Sequence, residues 1–257
     1  MNIIPILRES YYSFINSTQQ FASLEFMPYL LIGIAIIYIL SSELRRFTIF
    51  RYISIALGFI PTLFHELGHA IMTTLTGGYV QNIHIVLTGY GQKKTESKGF
   101  AQVHPKGRLS GILVSFSGYI MPPLILYLGL TFIHKHLELI FILLLGLMMT
   151  YYLIKSSQKW IPIVILLFLI SSGIEISIPH INITPLLLSV IYNIILGLCL
   201  GETIQAIIER TRLYKDNTTA WDGSDLKQAS KLPIIIFYIL WLFIDLGALK
   251  TLFEILF

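Results

Sequence analysis

The chain is poor in cysteine and in charge. Of its 257 residues only Cys199 is a cysteine, and 12% are charged, whereas 55% are hydrophobic. A single thiol excludes an internal disulfide and a zinc site built from cysteines. The scarcity of charge and a mean hydropathy of +0.75 exclude an ordinary soluble domain and are typical of a polytopic membrane protein. The net charge of +4 comes from loop lysines and arginines, so it bears on topology and does not indicate nucleic-acid binding.

Seven apolar segments predict an all-α polytopic membrane protein with about seven transmembrane helices. Each segment is near the ~20 residues that a helix needs to cross hydrocarbon. They span residues 27–43, 51–77, 110–133, 137–154, 160–178, 184–209 and 232–256. We expect one membrane-embedded domain over residues 27–257. Residues 1–26, which mix aromatic and polar side chains, are expected to form an N-terminal interfacial segment.

The distribution of basic residues predicts the orientation. When the N-terminus and the loops after the second, fourth and sixth segments are placed on one side, thirteen of the 18 lysines and arginines lie there. Because cytoplasmic loops are enriched in lysine and arginine, we expect an integral, multi-pass protein of the cell membrane with a cytoplasmic N-terminus. The second segment then ends in the cytoplasm.

The second segment contains the chemistry-bearing motif, His65-Glu66-Leu67-Gly68-His69. Two histidines four residues apart lie on one helix face and can hold one Zn²⁺, with a third protein ligand from elsewhere and water in the fourth position. The metal lowers the pKa of that water to about 7, and Glu66 is placed to take its proton. Ionisable residues at membrane depth mark function by default. The alternative is a hydrogen-bonded polar cluster without catalytic activity.

Residues 79–105 predict a small β-hairpin directly after the histidine helix. Ile83, Ile85 and Leu87 alternate with other residues in the period of a strand, and residues 98–104 can return as a second strand. An open strand edge cannot face lipid. The hairpin therefore either presents an unwound substrate by β-augmentation or is a plain cytoplasmic loop. His84 and His104 are expected at the surface.

The third segment contains Pro122 and Pro123, which follow Ser117-Gly118-Tyr119. Consecutive prolines remove two backbone donors and predict a kink or a break in the helix. Such a bend either opens a water path to the metal or serves packing alone.

The residues themselves leave the third ligand open. The polar stretch 216–231 includes Asp222 and Asp225 and lies on the same side as the end of the histidine helix. Glu202 lies in the sixth segment at a depth close to that of the histidines, by the helical rise per residue. Asp245, in the seventh segment, is expected to pair with a polar group instead.

Taken together, these motifs resemble the M50 intramembrane metalloproteases, the site-2 protease class, and in particular the M50B-like branch. The resemblance covers roughly residues 55–245. It is carried by the His65–Ala70 motif, Gly77-Gly78, Ser117-Gly118-Tyr119 with its prolines, and Gly223-Ser224-Asp225 through Leu232-Pro233 to Trp241.

This resemblance implies a zinc-dependent endopeptidase that cuts membrane-protein or peptide substrates within the lipid bilayer. It implies His65 and His69 as zinc ligands and Glu66 as the catalytic base. The third ligand of the family is an aspartate in a downstream motif, and Asp225 is the matching position. The usual Asn-Pro-Asp-Gly or Leu-Asp-Gly form is missing, so Asp222 is the second choice and Glu202 the third.

Two alternatives belong to other classes of function. A non-catalytic scaffold or a metal-binding transport protein would also place ionisable residues in spans. A transporter needs ligands on several spans, whereas only one span here has a dense cluster. Hydrolysis of a small lipid or peptide is a further alternative.

Overall fold

The computed structural model describes residues 24–95, 97–176, 183–215 and 221–257. Almost all of the predicted interfacial segment at residues 1–26 lies outside the described residues. The helices are α1 (Pro28–Glu43), α2 (Thr48–Leu75), α3 (Gly89–Thr95), α4 (Arg108–Ser117), α5 (Met121–His134), α6 (Glu138–Lys155), α7 (Trp160–Ile176), α8 (Ile183–Lys215), α9 (Asp222–Ser230) and α10 (Ile234–Leu256). Strands β1 (Tyr79–Ile85) and β2 (Gly99–His104) form the predicted hairpin, with α3 between them.

Each predicted apolar segment corresponds to a helix or to a pair of helices, but seven spans are not confirmed. Within the described residues, five stretches are long and apolar enough to cross a membrane: Thr48–Leu75, Arg108–His134, Glu138–Lys155, Pro185–Lys215 and Ile234–Leu256. The apolar helices Pro28–Glu43 and Trp160–Ser171 are shorter than the other five. At 1.5 Å per residue, the 16 residues of α1 extend only about 24 Å, less than the ~30 Å of a hydrocarbon core.

Helix α2 lies at the centre of the bundle, in contact with α1, α4, α5, α8 and both strands. Leu63, Leu67 and Ala70 are fully buried at helical spacing, so its packed face follows the 3.6-residue period. This packing fixes the rotation of α2 and therefore the direction in which its histidines point.

Helices α1 and α8 approach each other closely through small residues of α8. A Cβ at Gly197 would lie 2.6 Å from the Leu31 carbonyl oxygen, and one at Gly201 would lie 2.8 Å from the Tyr38 ring. Small residues at helix contacts are typical of packing inside membranes, where van der Waals contact replaces the hydrophobic effect. The glycines therefore hold α8 against the bundle that carries α2.

The third apolar segment is broken, as its prolines predict. Helix α4 ends at Ser117, a 3₁₀ turn covers Gly118–Ile120, and α5 begins at Met121. Pro122 and Pro123 occupy the first turn of α5, where the missing N–H groups would have no partner within the helix. The break places the 3₁₀ turn directly against α2.

The hairpin has one covered edge and one open edge. The outer edge of β1 is covered because Ile85 exchanges two hydrogen bonds with the Gln158 side chain, at 2.9 and 3.0 Å. Between the two strands, the Val86 N–H donates to the Lys98 carbonyl oxygen at 2.9 Å. Hydrogen-bonded and non-bonded pairs alternate along an antiparallel ladder, so the backbone groups of Gly99 and Ala101 point away from β1. The open edge of β2 faces α2.

Candidate metal centre

The imidazoles of His65 and His69 lie side by side on α2, as their spacing predicts. Their Nε2 atoms are 3.1 Å apart. The Asp222 Oδ2 atom lies 3.3 Å from Nε2 of His65 and 3.4 Å from Nε2 of His69. These three residues form a group whose potential ligand atoms all lie within 4.8 Å of one another.

Helix α9 brings Asp222 to the histidines because it begins at that residue. The first turn is fixed by the Trp221 carbonyl oxygen, which accepts from the backbone N–H of Ser224 at 2.8 Å and of Asp225 at 3.1 Å. The Trp221 N–H in turn donates to the Ser224 hydroxyl at 2.9 Å. Glycine at position 223 allows the Trp221 ring to pack closely, because a Cβ there would lie 2.4 Å from that ring.

The far end of α9 is held against α4. The Arg108 guanidinium donates to the carbonyl oxygens of Ala229 and Ser230, the latter at 3.0 Å. These carbonyls belong to the last turn of the helix, where a cation is favoured by the helix dipole. Arg108 therefore fixes the position of α9, and with it the position of Asp222.

The donor set fits a tetrahedral metal. Zinc binds histidine nitrogen at about 2.0–2.1 Å and carboxylate oxygen at about 2.0–2.2 Å, so two ligand atoms of one tetrahedron are about 3.3 Å apart. The separations between the three side-chain atoms here are 3.1, 3.3 and 3.4 Å. Two imidazoles and one carboxylate are also the donor chemistry of catalytic zinc sites, which leave the fourth position open.

The partner of His69 fixes which of its nitrogens faces the group. Its Nδ1 donates to the Val114 carbonyl oxygen at 2.7 Å, so in the neutral ring Nε2 carries the lone pair. The glycines on both sides permit close packing. A Cβ at Gly68 would lie 2.7 Å from the Ser117 carbonyl oxygen, and one at Gly118 would lie 2.4 Å from Nε2 of His69.

Electrostatics distinguish the two aspartates of α9. Burial raises the pKa of the Asp222 carboxyl, but the adjacent rings of His69 and His65 outweigh it and hold that pKa below its usual value. Burial and the neighbouring Asp222 charge both raise the pKa of Asp225. The two histidines therefore favour the ionised form of Asp222 more strongly than that of Asp225.

Asp225, the residue to which the resemblance points, lies outside the group of three in the described part of the chain. It lies three positions after Asp222, which is about 4.5 Å along the helix axis. It lines the same cavity as the histidines. The structure thus brings the second-choice residue, Asp222, to His65 and His69.

The other candidates lie elsewhere. Glu202 accepts a hydrogen bond from the Tyr38 hydroxyl and lines a neighbouring cavity of about 300 Å³. Asp245 pairs with Arg210, which confirms that it has a polar partner. His84 stacks on Phe100 and His104 stacks on Tyr79, at ring distances of 5.2 and 6.2 Å, so both belong to the hairpin surface.

Glu66 is buried next to the two histidines and contacts the backbone of Ala101 on the open edge of β2. A cavity of about 370 Å³ lies between the Glu66 face of α2, strand β2 and helix α9. The carboxylate, the histidines and the outer edge of β2 thus face one space.

Sequence reasoning missed the aromatic residues around the site. The Tyr119 ring packs edge-on against the His65 ring, with centroids 4.9 Å apart, and contacts Trp221 and Trp241 at 6.3 and 5.0 Å. All three lie in motifs that the sequence analysis singled out, but the spacing of the motifs does not indicate that their rings meet.

Comparison with known protein families decides the relationship. The family model described as Peptidase M50B-like matches residues 29–252, which is most of the chain. The chain belongs to the Peptidase M50B-like family. Comparisons with curated proteins and with solved structures gave no match. The M50B-like match extends from α1 to α10, so it includes α2, the hairpin and α9 in one region.

Proposed function

We propose that this M50B-like chain is a zinc-dependent intramembrane endopeptidase that hydrolyses a peptide bond in or near a transmembrane segment of a membrane protein. The observation that carries this proposal is the convergence of His65, His69 and Asp222 next to buried Glu66. We assign Asp222 rather than Asp225 as the third ligand, because its carboxylate has tetrahedral spacing to both imidazoles.

The residues divide the chemistry between them. Zn²⁺ bound by His65, His69 and Asp222 would polarise the scissile carbonyl and lower the pKa of a water to about 7. Glu66 accepts the proton of the attacking water and delivers it to the leaving amine. The Val114 carbonyl keeps His69 in the tautomer that ligates.

The open edge of β2 presents the substrate. A helical segment must leave its own hydrogen-bond ladder before its carbonyls can be attacked. The outward-facing carbonyl of Ala101 offers a replacement acceptor, as in β-augmentation, while the Ala101 N–H donates to Glu66. A strand added there lies along the cavity that Asp222 and the histidines line.

The orientation follows from the charges. With the N-terminus in the cytoplasm, α2 ends on the cytoplasmic side and the hairpin follows it there. His69 lies six residues before the end of α2 at Leu75, about 9 Å along the helix axis.

The test is Glu66→Gln, which keeps the size of the side chain and removes the base. We expect the purified variant to retain zinc and to lose cleavage of a membrane-protein reporter by about 10²–10⁴-fold. Glu254→Gln, an exposed change on α10, is the matched control and should cleave like the wild type. Unchanged cleavage by Glu66→Gln would overturn the proposal and favour a non-catalytic scaffold or metal carrier.

A further inference from the structure

A fully buried ion pair connects α8 and α10 beside the metal centre. Arg210 and Asp245 are each 1% exposed, and a guanidinium nitrogen of Arg210 donates to the Asp245 carboxylate. The Arg210 Nε also donates to the Ala206 carbonyl oxygen at 3.0 Å. The remaining nitrogen, Nη1, has no hydrogen-bond partner among the described residues. Burying such a pair is expensive, so its presence is weak evidence for a purely stabilising role.

The guanidinium instead lies over two aromatic rings. Its central carbon is 5.1 Å from the centroid of Tyr119 and 5.5 Å from that of Trp241. Both distances lie within the ≈6 Å range of cation–π contact, which is stronger where water is excluded. Asp245 holds the guanidinium in this place, because it is the side chain that pairs with it.

The same two rings contact two separate parts of the site, the α2 histidine and the start of α9. Tyr119 packs edge-on against His65 at 4.9 Å, on the α2 side. Trp241 lies 6.1 Å from Trp221, the residue directly before Asp222. We call Tyr119, Trp221 and Trp241 the aromatic cluster. It therefore lies between the ion pair on one side and two of the three ligands on the other.

We propose that Arg210 and Asp245 are positioning residues of the metal centre: the ion pair clamps the aromatic cluster, which sets the ring of His65 and the start of α9. The inference rests on the proposed function in that it needs a metal bound by His65, His69 and Asp222. The inference goes beyond the proposed function because it assigns roles to two residues that touch neither metal nor substrate. A structural pair would join α8 to α10 without any effect on the ligands.

The decisive variant is the double change Arg210→Met with Asp245→Asn. Removing both charges leaves no buried unpaired ion, so the protein should fold and unfold at close to the wild-type temperature. We expect zinc affinity, measured by chelator competition, to fall about 10–100-fold, as for other residues that orient metal ligands. The visible spectrum of the Co²⁺-substituted protein should also shift, and kcat should fall with little change in KM.

Two exposed charges on the same helices provide matched controls. Arg212→Met on α8 and Glu254→Gln on α10 remove side chains that are 61% and 59% exposed. Both should keep the wild-type affinity and Co²⁺ spectrum. Arg210→Lys keeps the charge but lacks the planar group that covers both rings. It should fall between the wild type and the double variant.

The outcomes separate this inference from the proposed function. Wild-type zinc affinity and an unshifted Co²⁺ spectrum in the double variant would overturn the inference, whatever the protease activity. If the double variant does not fold, an unshifted spectrum in Arg210→Lys overturns it in the same way. A wild-type protein that binds metal but cleaves no substrate defeats only the proposed proteolysis, because affinity and spectrum still decide the roles of Arg210 and Asp245. A wild-type protein that binds neither metal overturns both.

Discussion

Replacing Gly118 with alanine tests how closely the 3₁₀ turn and the histidines depend on each other. The added methyl would lie 2.4 Å from Nε2 of His69 and 2.8 Å from Cε1 of His65. Ordinary van der Waals contact begins at 3.4 Å. A ring or the turn must therefore move by about 1 Å, and the methyl also competes with a metal for the space around Nε2.

The size of the effect follows from what can move. His69 is buried and tied to the Val114 carbonyl oxygen at 2.7 Å, so its ring has little freedom. Metal–ligand distances tolerate only about ±0.2 Å. A displacement near 1 Å at a reacting centre costs roughly 100-fold in rate, whereas overpacking costs only about 1–3 kcal/mol of stability.

The assay measures zinc affinity and reporter cleavage in the same detergent preparation, with thermal unfolding to establish that the variant folds. Gly111→Ala, two turns earlier on the same chain segment, is the control, because nothing lies within 4 Å of its Cβ position. It should leave zinc and activity unchanged and add up to about 1 kcal/mol of stability. If folded Gly118→Ala binds zinc and cleaves like the wild type, then neither zinc binding nor cleavage depends on the close packing of the turn against the histidines.

Three further predictions concern the ligands and α9. Asp222→Asn should abolish stoichiometric zinc binding, and Asp225→Asn should retain it; metal analysis decides, and the reverse result would assign Asp225. Arg108→Met should lower the free energy of unfolding by about 0.5–1 kcal/mol, because the last carbonyls of α9 lose a cation. It should weaken zinc binding less than Asp222→Asn does. A fully retained thermal stability would contradict this prediction. Removing zinc by a chelator should lower the unfolding temperature, since ligand at 1,000 times Kd contributes about 4 kcal/mol, and His65→Ala should make the protein insensitive to the chelator.

The histidine pair could be predicted because its geometry is local. Residues four apart on a helix share a face, whatever the rest of the fold does. The strand period in residues 79–105 likewise predicted the hairpin, and the consecutive prolines predicted the break before α5. Each of these features depends on neighbours within a few residues.

The third ligand shows where local reasoning ends. Asp222 and Asp225 lie in one turn of one short helix, so their composition and spacing do not separate them. The choice between them depends on where α9 begins and on how Arg108 holds its far end against α4. The start of the helix is set locally, but the Arg108 contact joins segments more than a hundred residues apart in sequence.

Arg210 illustrates the same limit. Sequence analysis counts it among the basic loop residues, but α8 continues to Lys215 and buries it completely. Its partner Asp245 comes from α10, and the Tyr119 ring comes from the 3₁₀ turn. An arginine near the end of an apolar run has the same sequence signal whether it faces water or a buried carboxylate.

The amino-acid sequence by itself determined a helical membrane protein with two histidines and a glutamate on one helix, since hydropathy and helical period act over short distances. Only the tertiary structure decided which aspartate meets those histidines, which strand edge is open beside Glu66, and which buried charges surround the site. The physical reason is that these features depend on the packing of distant helices, and packing is determined by the shape of every contacting side chain at once.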